Sequence, residues 1–86
     1  MSVAQLTVRY FAGARAAAGT PEETVELADQ STVAEVLHLL ADRHGEQLNR
    51  VLSACSFLLD GVAVRDRATV LAGTTQLDVL PPFAGG

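Results

Sequence analysis

Thr32-Val33-Ala34-Glu35-Val36-Leu37-His38-Leu39-Leu40-Ala41-Asp42-Arg43-His44-Gly45 is the stretch that decides the fold. Val33, Val36, Leu37, Leu40 and His44 recur at helical spacing and form one apolar stripe closed by a histidine. Glu35, His38, Asp42 and Arg43 fall largely off it. Thr32 followed by Glu35 fits a capping box, with Ser31 as the competing cap. Gly45 stands where a left-handed residue stops a helix. The pattern predicts a helix over residues 33–44. A helix with one apolar face needs a second layer to bury it.

The flanking segments supply that layer as strands. Leu6, Val8 and Tyr10 alternate with Thr7 and Arg9, the mark of a half-buried strand. Thr24-Val25-Glu26-Leu27 alternates again, with Val25 and Leu27 inward. Phe11 to Gly19 is alanine-rich and bracketed by Gly13 and Gly19, and reads as a connection with one helical turn. The first two strands pair antiparallel across it. After the helix, Leu48 to Ala54 reads as a helical or irregular link. Cys55-Ser56-Phe57-Leu58-Leu59 is a strand, Asp60-Gly61 a strong turn signal, and Val62-Ala63-Val64 a brief return. Ala72-Gly73-Thr74 turns the chain into Gln76–Leu80, with Leu77 and Val79 inward. Pro81-Pro82 ends that strand, because proline cannot donate to a ladder. If the last strand lies beside the first, the two run parallel and the helix lies within the crossover. The expectation is an α+β, ubiquitin-like β-grasp: a small mixed sheet of four or five strands with one main helix on one face. Residues 1–80 form the domain and residues 81–86 a flexible tail.

Composition narrows the function. The 86 residues make one domain, and a hydrophobic fraction of 49% supplies a core. A formal net charge of −4 argues against nucleic acid, which leaves a basic footprint. No apolar run approaches the ~18 residues of a membrane span, and Met1-Ser2-Val3-Ala4-Gln5 has no character of a signal peptide. The lone Cys55 precludes an internal disulfide and fits a reducing, cytoplasmic setting. No Cys/His cluster has zinc-ligand spacing. All six basic residues are arginine: Arg9, Arg15, Arg43, Arg50, Arg65 and Arg67.

The tail carries the functional signal. Pro81-Pro82-Phe83-Ala84 leads to Gly85-Gly86, the thinnest backbone a chain can offer. Extended, residues 81–86 reach about 20 Å, at roughly 3.3 Å per residue. Such a tail can thread a channel and present Gly86 to another protein's active site, and the two prolines lower the ordering cost. With no lysine on the chain, no side-chain amine of its own captures an activated carboxylate. Taken by itself, a terminal diglycine also fits a frayed end. The chain has no Ser/His/Asp or Cys/His arrangement and no phosphate-cradling loop. It therefore has no active site of its own, and activation must come from a separate enzyme.

Val8-Arg9-Tyr10-Phe11-Ala12 with Arg15, Ser31-Thr32-Val33-Ala34-Glu35-Val36-Leu37, Leu59-Asp60-Gly61 and Asp78-Val79-Leu80-Pro81-Pro82-Phe83-Ala84-Gly85-Gly86 together resemble the MoaD/ThiS family of sulfur carriers. Within it they are most similar to the small subunit of molybdopterin synthase. The first and last segments are the more specific ones. The resemblance implies that Gly86 is adenylated and converted to a thiocarboxylate, with Gly85 giving passage through narrow channels. It implies an E1-like, MoeB-type adenylating enzyme that uses ATP with Mg, then a sulfurtransferase. It also implies a MoaE-type large subunit, where sulfur passes to cyclic pyranopterin monophosphate in molybdenum cofactor biosynthesis. No cofactor or metal is expected on this chain. Two departures stand out. Gly73-Thr74 replaces the Gly-Asp of many members, a change of turn chemistry. Phe83 is bulkier than the residues common near this tail. Sulfur carriage for thiamin or cysteine biosynthesis, a ubiquitin-like modifier of protein lysines, and a plain interaction module remain open beside this reading.

Partner contacts are expected at Arg9, Leu58, Leu80, Pro81, Pro82, Phe83 and Ala84. Leu58 and Leu80 have outward parity relative to Phe57, Leu59 and Val79, and Arg9 shares it; adjoining strands would make an apolar patch beside the tail. Scattered surface leucines are the bland alternative. Phe83 is a partner anchor or folds back on the domain. Cys55 reads as a small buried hydrophobe rather than a persulfide carrier. His38 and His44, six apart, share no metal-binding face, and His44 suits the negative end of the helix. Arg15 either meets a partner carboxylate or is solvated.

Overall fold

A computed structural model describes residues 3–71, 73 and 76–82. The chain runs β1 (Val3–Tyr10), α1 (Ala12–Ala18), β2 (Glu22–Ala28), α2 (Val33–His44), α3 (Glu46–Ala54), β3 (Ser56–Leu59), β4 (Val62–Ala63) and β5 (Gln76–Leu80). The five strands form one mixed sheet in the order β2-β1-β5-β3-β4. β1 and β5 are parallel, and the other neighbours are antiparallel. This is the β-grasp arrangement expected from the sequence.

The sheet's inner face carries Leu6, Val8, Tyr10, Val25, Phe57, Leu77 and Val79, all buried. Against it pack Ala14 of α1, Val33, Val36, Leu37 and Leu40 of α2, and Leu48 and Leu52 of α3, in a single core. Burying a side chain of this size contributes roughly 1.5–3 kcal/mol, so this layer is what holds the helices against the sheet.

The α2 signals hold residue for residue. Thr32 Oγ1 accepts from the Glu35 amide at 3.2 Å, and Glu35 Oε1 accepts from the Thr32 amide at 3.1 Å. The next two amides of the helix, Val33 and Ala34, donate to the carbonyls of Thr69 and Arg67. A loop thus satisfies the donors that a helix start leaves open. Ser31, the competing cap, is buried and accepts from the Leu71 amide instead.

Several readings are corrected or sharpened. The alanine-rich link is the seven-residue helix α1, not one turn; Gly19 closes it in the left-handed region at φ 80°. Leu48–Ala54, read as helical or irregular, is helical and belongs to a nine-residue helix that starts at Glu46. Gly45 is not a simple left-handed stop. At φ 95° and ψ −170° it ends α2 and begins α3, a conformation that glycine alone takes readily. α2, the longest, remains the main helix, with the shorter α1 and α3 beside it. Cys55 lies outside β3 and ends α3. The Asp60-Gly61 turn has positive φ at both residues, 47° and 84°, as a two-residue type I′ hairpin demands.

Candidate functional site

The site is built where β5 ends. β5 is the central strand, with β1 on one side and β3 on the other. Leu80 lies opposite Ser56, Val79 opposite Tyr10 and Phe57, and the Phe11 amide donates to the Val79 carbonyl at 3.2 Å. The chain leaves this ladder at Pro81, half-buried, and Pro82, exposed. Its exit is flanked by the start of α1 and the start of β3. Phe83, Ala84, Gly85 and Gly86 lie outside the described residues, as does Thr74 of the last turn.

The sheet's outer face beside that exit is ordered by register. Glu22, Arg9, Asp78, Leu58 and Ala63 form one cross-strand row through all five strands. Arg9 grips Asp78 with two hydrogen bonds, Nε to Oδ1 at 2.9 Å and Nη2 to Oδ2 at 3.3 Å. Its guanidinium carbon also lies 5.4 Å from the Phe11 ring centroid. The hydrogen bond and charge of Asp78, with Glu22 adding to them, raise the Arg9 pKa above an already high value, so the cation is fixed. The Asp78 side chain is 9% exposed and that of Arg9 43%. The carboxylate is sunk in the sheet and the arginine head is partly open to solvent.

The structure thus brings Arg9, Leu58 and Leu80 to one face beside the tail. Leu58 and Leu80 are half-buried. The patch differs from the expectation in one respect: Asp78 sits between Arg9 and Leu58, so an ion pair borders the leucines. The sequence reading missed Asp78. Its outward parity with Leu80 was visible, but its partner emerges only from the parallel register that aligns it with Arg9, 69 residues away.

Below the sheet, Glu23 faces inward against Tyr10, His44 and Arg43. Tyr10 Oη donates to Glu23 Oε2 at 2.6 Å, Arg43 Nη1 to Oε1 at 2.8 Å, and His44 Nε2 meets Oε2. The Tyr10 and His44 rings cross edge to face at 6.0 Å. His44 therefore ties α2 to the sheet, where the sequence suggested only a helix-end role. Cys55 is buried, and its Sγ donates to the Val51 carbonyl at 3.1 Å. Burial pushes its pKa up, against a smaller opposing influence of Arg67, which disfavours a thiolate. Arg15 is exposed on α1. No group of His, Cys, Asp and Glu among the described residues has the makings of a metal site, and no described helix is long and apolar enough to cross a membrane.

A central strand delivering a C-terminal segment from a β-grasp body defines a ubiquitin-like protein. The sequence profile of the ThiS family matches residues 8–86, and the chain belongs to that family. It is 32% identical over 83 residues to the molybdopterin synthase sulfur carrier subunit of Chlamydomonas reinhardtii, covering 95% of this chain and 99% of that one. The small archaeal modifier protein 1 of Methanosarcina acetivorans is similar in structure, with a TM-score of 0.79 and 27% identity over the full length of both chains. A chain in the complex of subunits 1 and 2 of molybdopterin-converting factor from Helicobacter pylori shares the fold. Its TM-score is 0.69 at 23% identity, covering 96% of this chain and 100% of that one.

Proposed function

We propose that this protein is the sulfur-donating small subunit of a molybdopterin synthase, with Gly86 as the reacting residue. The observation that carries the reading is the family match, which runs through the diglycine, joined to the full-length likeness to a sulfur carrier subunit. A carboxylate is a poor acyl donor. An E1-like, MoeB-type enzyme would let the Gly86 carboxylate attack the α-phosphate of ATP, with Mg as the enzyme's ion, and release pyrophosphate. A sulfurtransferase would then supply sulfide equivalents that displace AMP and leave the thiocarboxylate. The large subunit, of MoaE type, would take the tail and pass the sulfur to cyclic pyranopterin monophosphate. A dithiolene holds a pair of sulfurs, so the carrier is used twice.

The folded body's part is presentation. β5 is locked on both sides, so the tail starts from a fixed root, while Pro81 and Pro82 stiffen its first steps. Arg9, Leu58 and Leu80 form the face on which the activating enzyme and the large subunit would settle in turn. Reconstituted synthase tests this directly. Carrier charged with sulfur should yield molybdopterin, and carrier lacking Gly86 should yield none while melting at the same temperature, since terminal residues have few contacts to lose. Full yield from the shortened chain overturns the reading.

The likeness to a small archaeal modifier supports a second reading, attachment of Gly86 to lysines of other proteins. Digests of total protein from the native cell distinguish the two: remnants of the tail on lysine side chains mark a modifier, and their absence a dedicated carrier.

A further inference from the structure

On the helical side of the molecule, away from the outer sheet face, α2, α3 and the loop after β4 border an open surface cavity of about 260 Å³. Leu37 and Leu52, both buried, line it with Arg67, His38, Asn49 and Ser53. The Arg67 guanidinium is held in place by the Phe57 ring, 5.2 Å from its centroid. It makes no ion pair among the described residues, unlike Arg9, Arg43 and Arg50. The side chains of His38 and Asn49 likewise have no hydrogen-bond partner among them. No carboxylate lines the cavity. Asp42 and Glu46 border the neighbouring one, which shares His38 and Asn49, and Glu46 is turned toward Arg50 at 3.7 Å. Ala34, in the first turn of α2, lines the cavity's edge, its amide already donated to the Arg67 carbonyl.

We infer that this cavity is an oxyanion-binding site, with Arg67 as the principal donor and His38 and Asn49 as flanking donors. A chain with net charge −4 here keeps a concavity lined by an arginine, a histidine and an asparagine with no acid among them. Guanidinium donors arranged as a fork match the paired oxygens of a carboxylate or phosphate. The ring beneath fixes the arginine's orientation, which reduces the ordering cost of binding. The ligand class is a small phosphate or the carboxylate of an acidic side chain. The inference does not rest on the carrier chemistry, since the cavity lies on the other side of the sheet from the proposed docking face.

Amide and arginine-side-chain NMR shifts of the full chain, titrated in turn with inorganic phosphate and with a short Asp/Glu-rich peptide, test it. Saturable shifts at Ala34, Asn49, Ser53 and the Arg67 side chain are expected. In Arg67→Gln they should need roughly tenfold more ligand or vanish, while Arg15→Gln titrates as the parent does. Because the Arg67 backbone carbonyl still receives the Ala34 amide, Arg67→Gln should keep the parent's spectrum elsewhere. Response to phosphate alone assigns a phosphate ligand, and to the peptide alone an acidic protein segment. No saturable response to either, or the same response in Arg67→Gln, overturns the inference.

Discussion

Glu23 shows how one residue sets the molecule's response to acid. Burial disfavours its charge and is the largest single influence. The hydrogen bonds from Tyr10, Arg43 and His44 together outweigh that, so its pKa lies below the ordinary 4.5. A carboxyl depressed in the folded state contributes stability above its unfolded pKa and loses it as pH falls through the folded one. The melting temperature should therefore drop as pH falls below about 4.5, and Glu23→Gln should flatten part of that drop. Tyr10, whose own pKa burial and then Glu23 push far up, remains a neutral donor throughout. Tyr10→Phe removes a hydrogen bond to a charged acceptor and should cost roughly 2 kcal/mol in chemical denaturation. None of this network was legible in the sequence, because a glutamate with inward parity beside Val25 looks like any solvated charge until the strand pairing is known.

At the scale of elements, legibility followed the strength of local signals. α2 was readable to the residue because its cap and stripe agree and a glycine closes it, although that glycine is a joint to α3 rather than a simple stop. β5 was readable because alternation is cut off by two prolines. α3 was half-read: Leu48, Val51 and Leu52 have helical spacing, but Gly45 offers no side-chain cap to announce a start. α1 was under-read because alanines bury little and leave no stripe; Ala14 alone is fully buried, with Ala17 and Ala18 packed against the core's edge. Gly45 carries the consequence. No atom lies within 4 Å of where its Cβ would stand, so space is not the constraint; its φ of 95° is. Gly45→Ala should cost about 1–3 kcal/mol by straining the joint between α2 and α3. The check is denaturant unfolding beside Gly13→Ala, an exposed glycine without that φ, which should be near neutral or stabilising.

At the scale of the whole molecule, the β-grasp body separates duties. The core lies between the sheet and the helices, and the central strand ends at Pro81 beside the outer sheet face that we propose for docking. Leu58 tests the docking face. An aspartate there would stand directly opposite Asp78 and disturb the fold by like charge, so Leu58→Ser is the cleaner variant. It should melt within a few degrees of the parent and bind the large subunit about tenfold more weakly or worse, as calorimetry would read. Unchanged affinity would remove Leu58 from the interface.

The central claim concerns a single atom of Gly86, and intact mass spectrometry reads it. The chain is incubated with the adenylating enzyme, ATP, Mg and a sulfur donor, then weighed. The expected mass gain equals the exchange of one oxygen for sulfur, located in the C-terminal fragment that ends at Gly86 and absent when ATP is withheld. An unchanged mass from a chain that the enzyme demonstrably binds, or sulfur located on Cys55 instead, would contradict it.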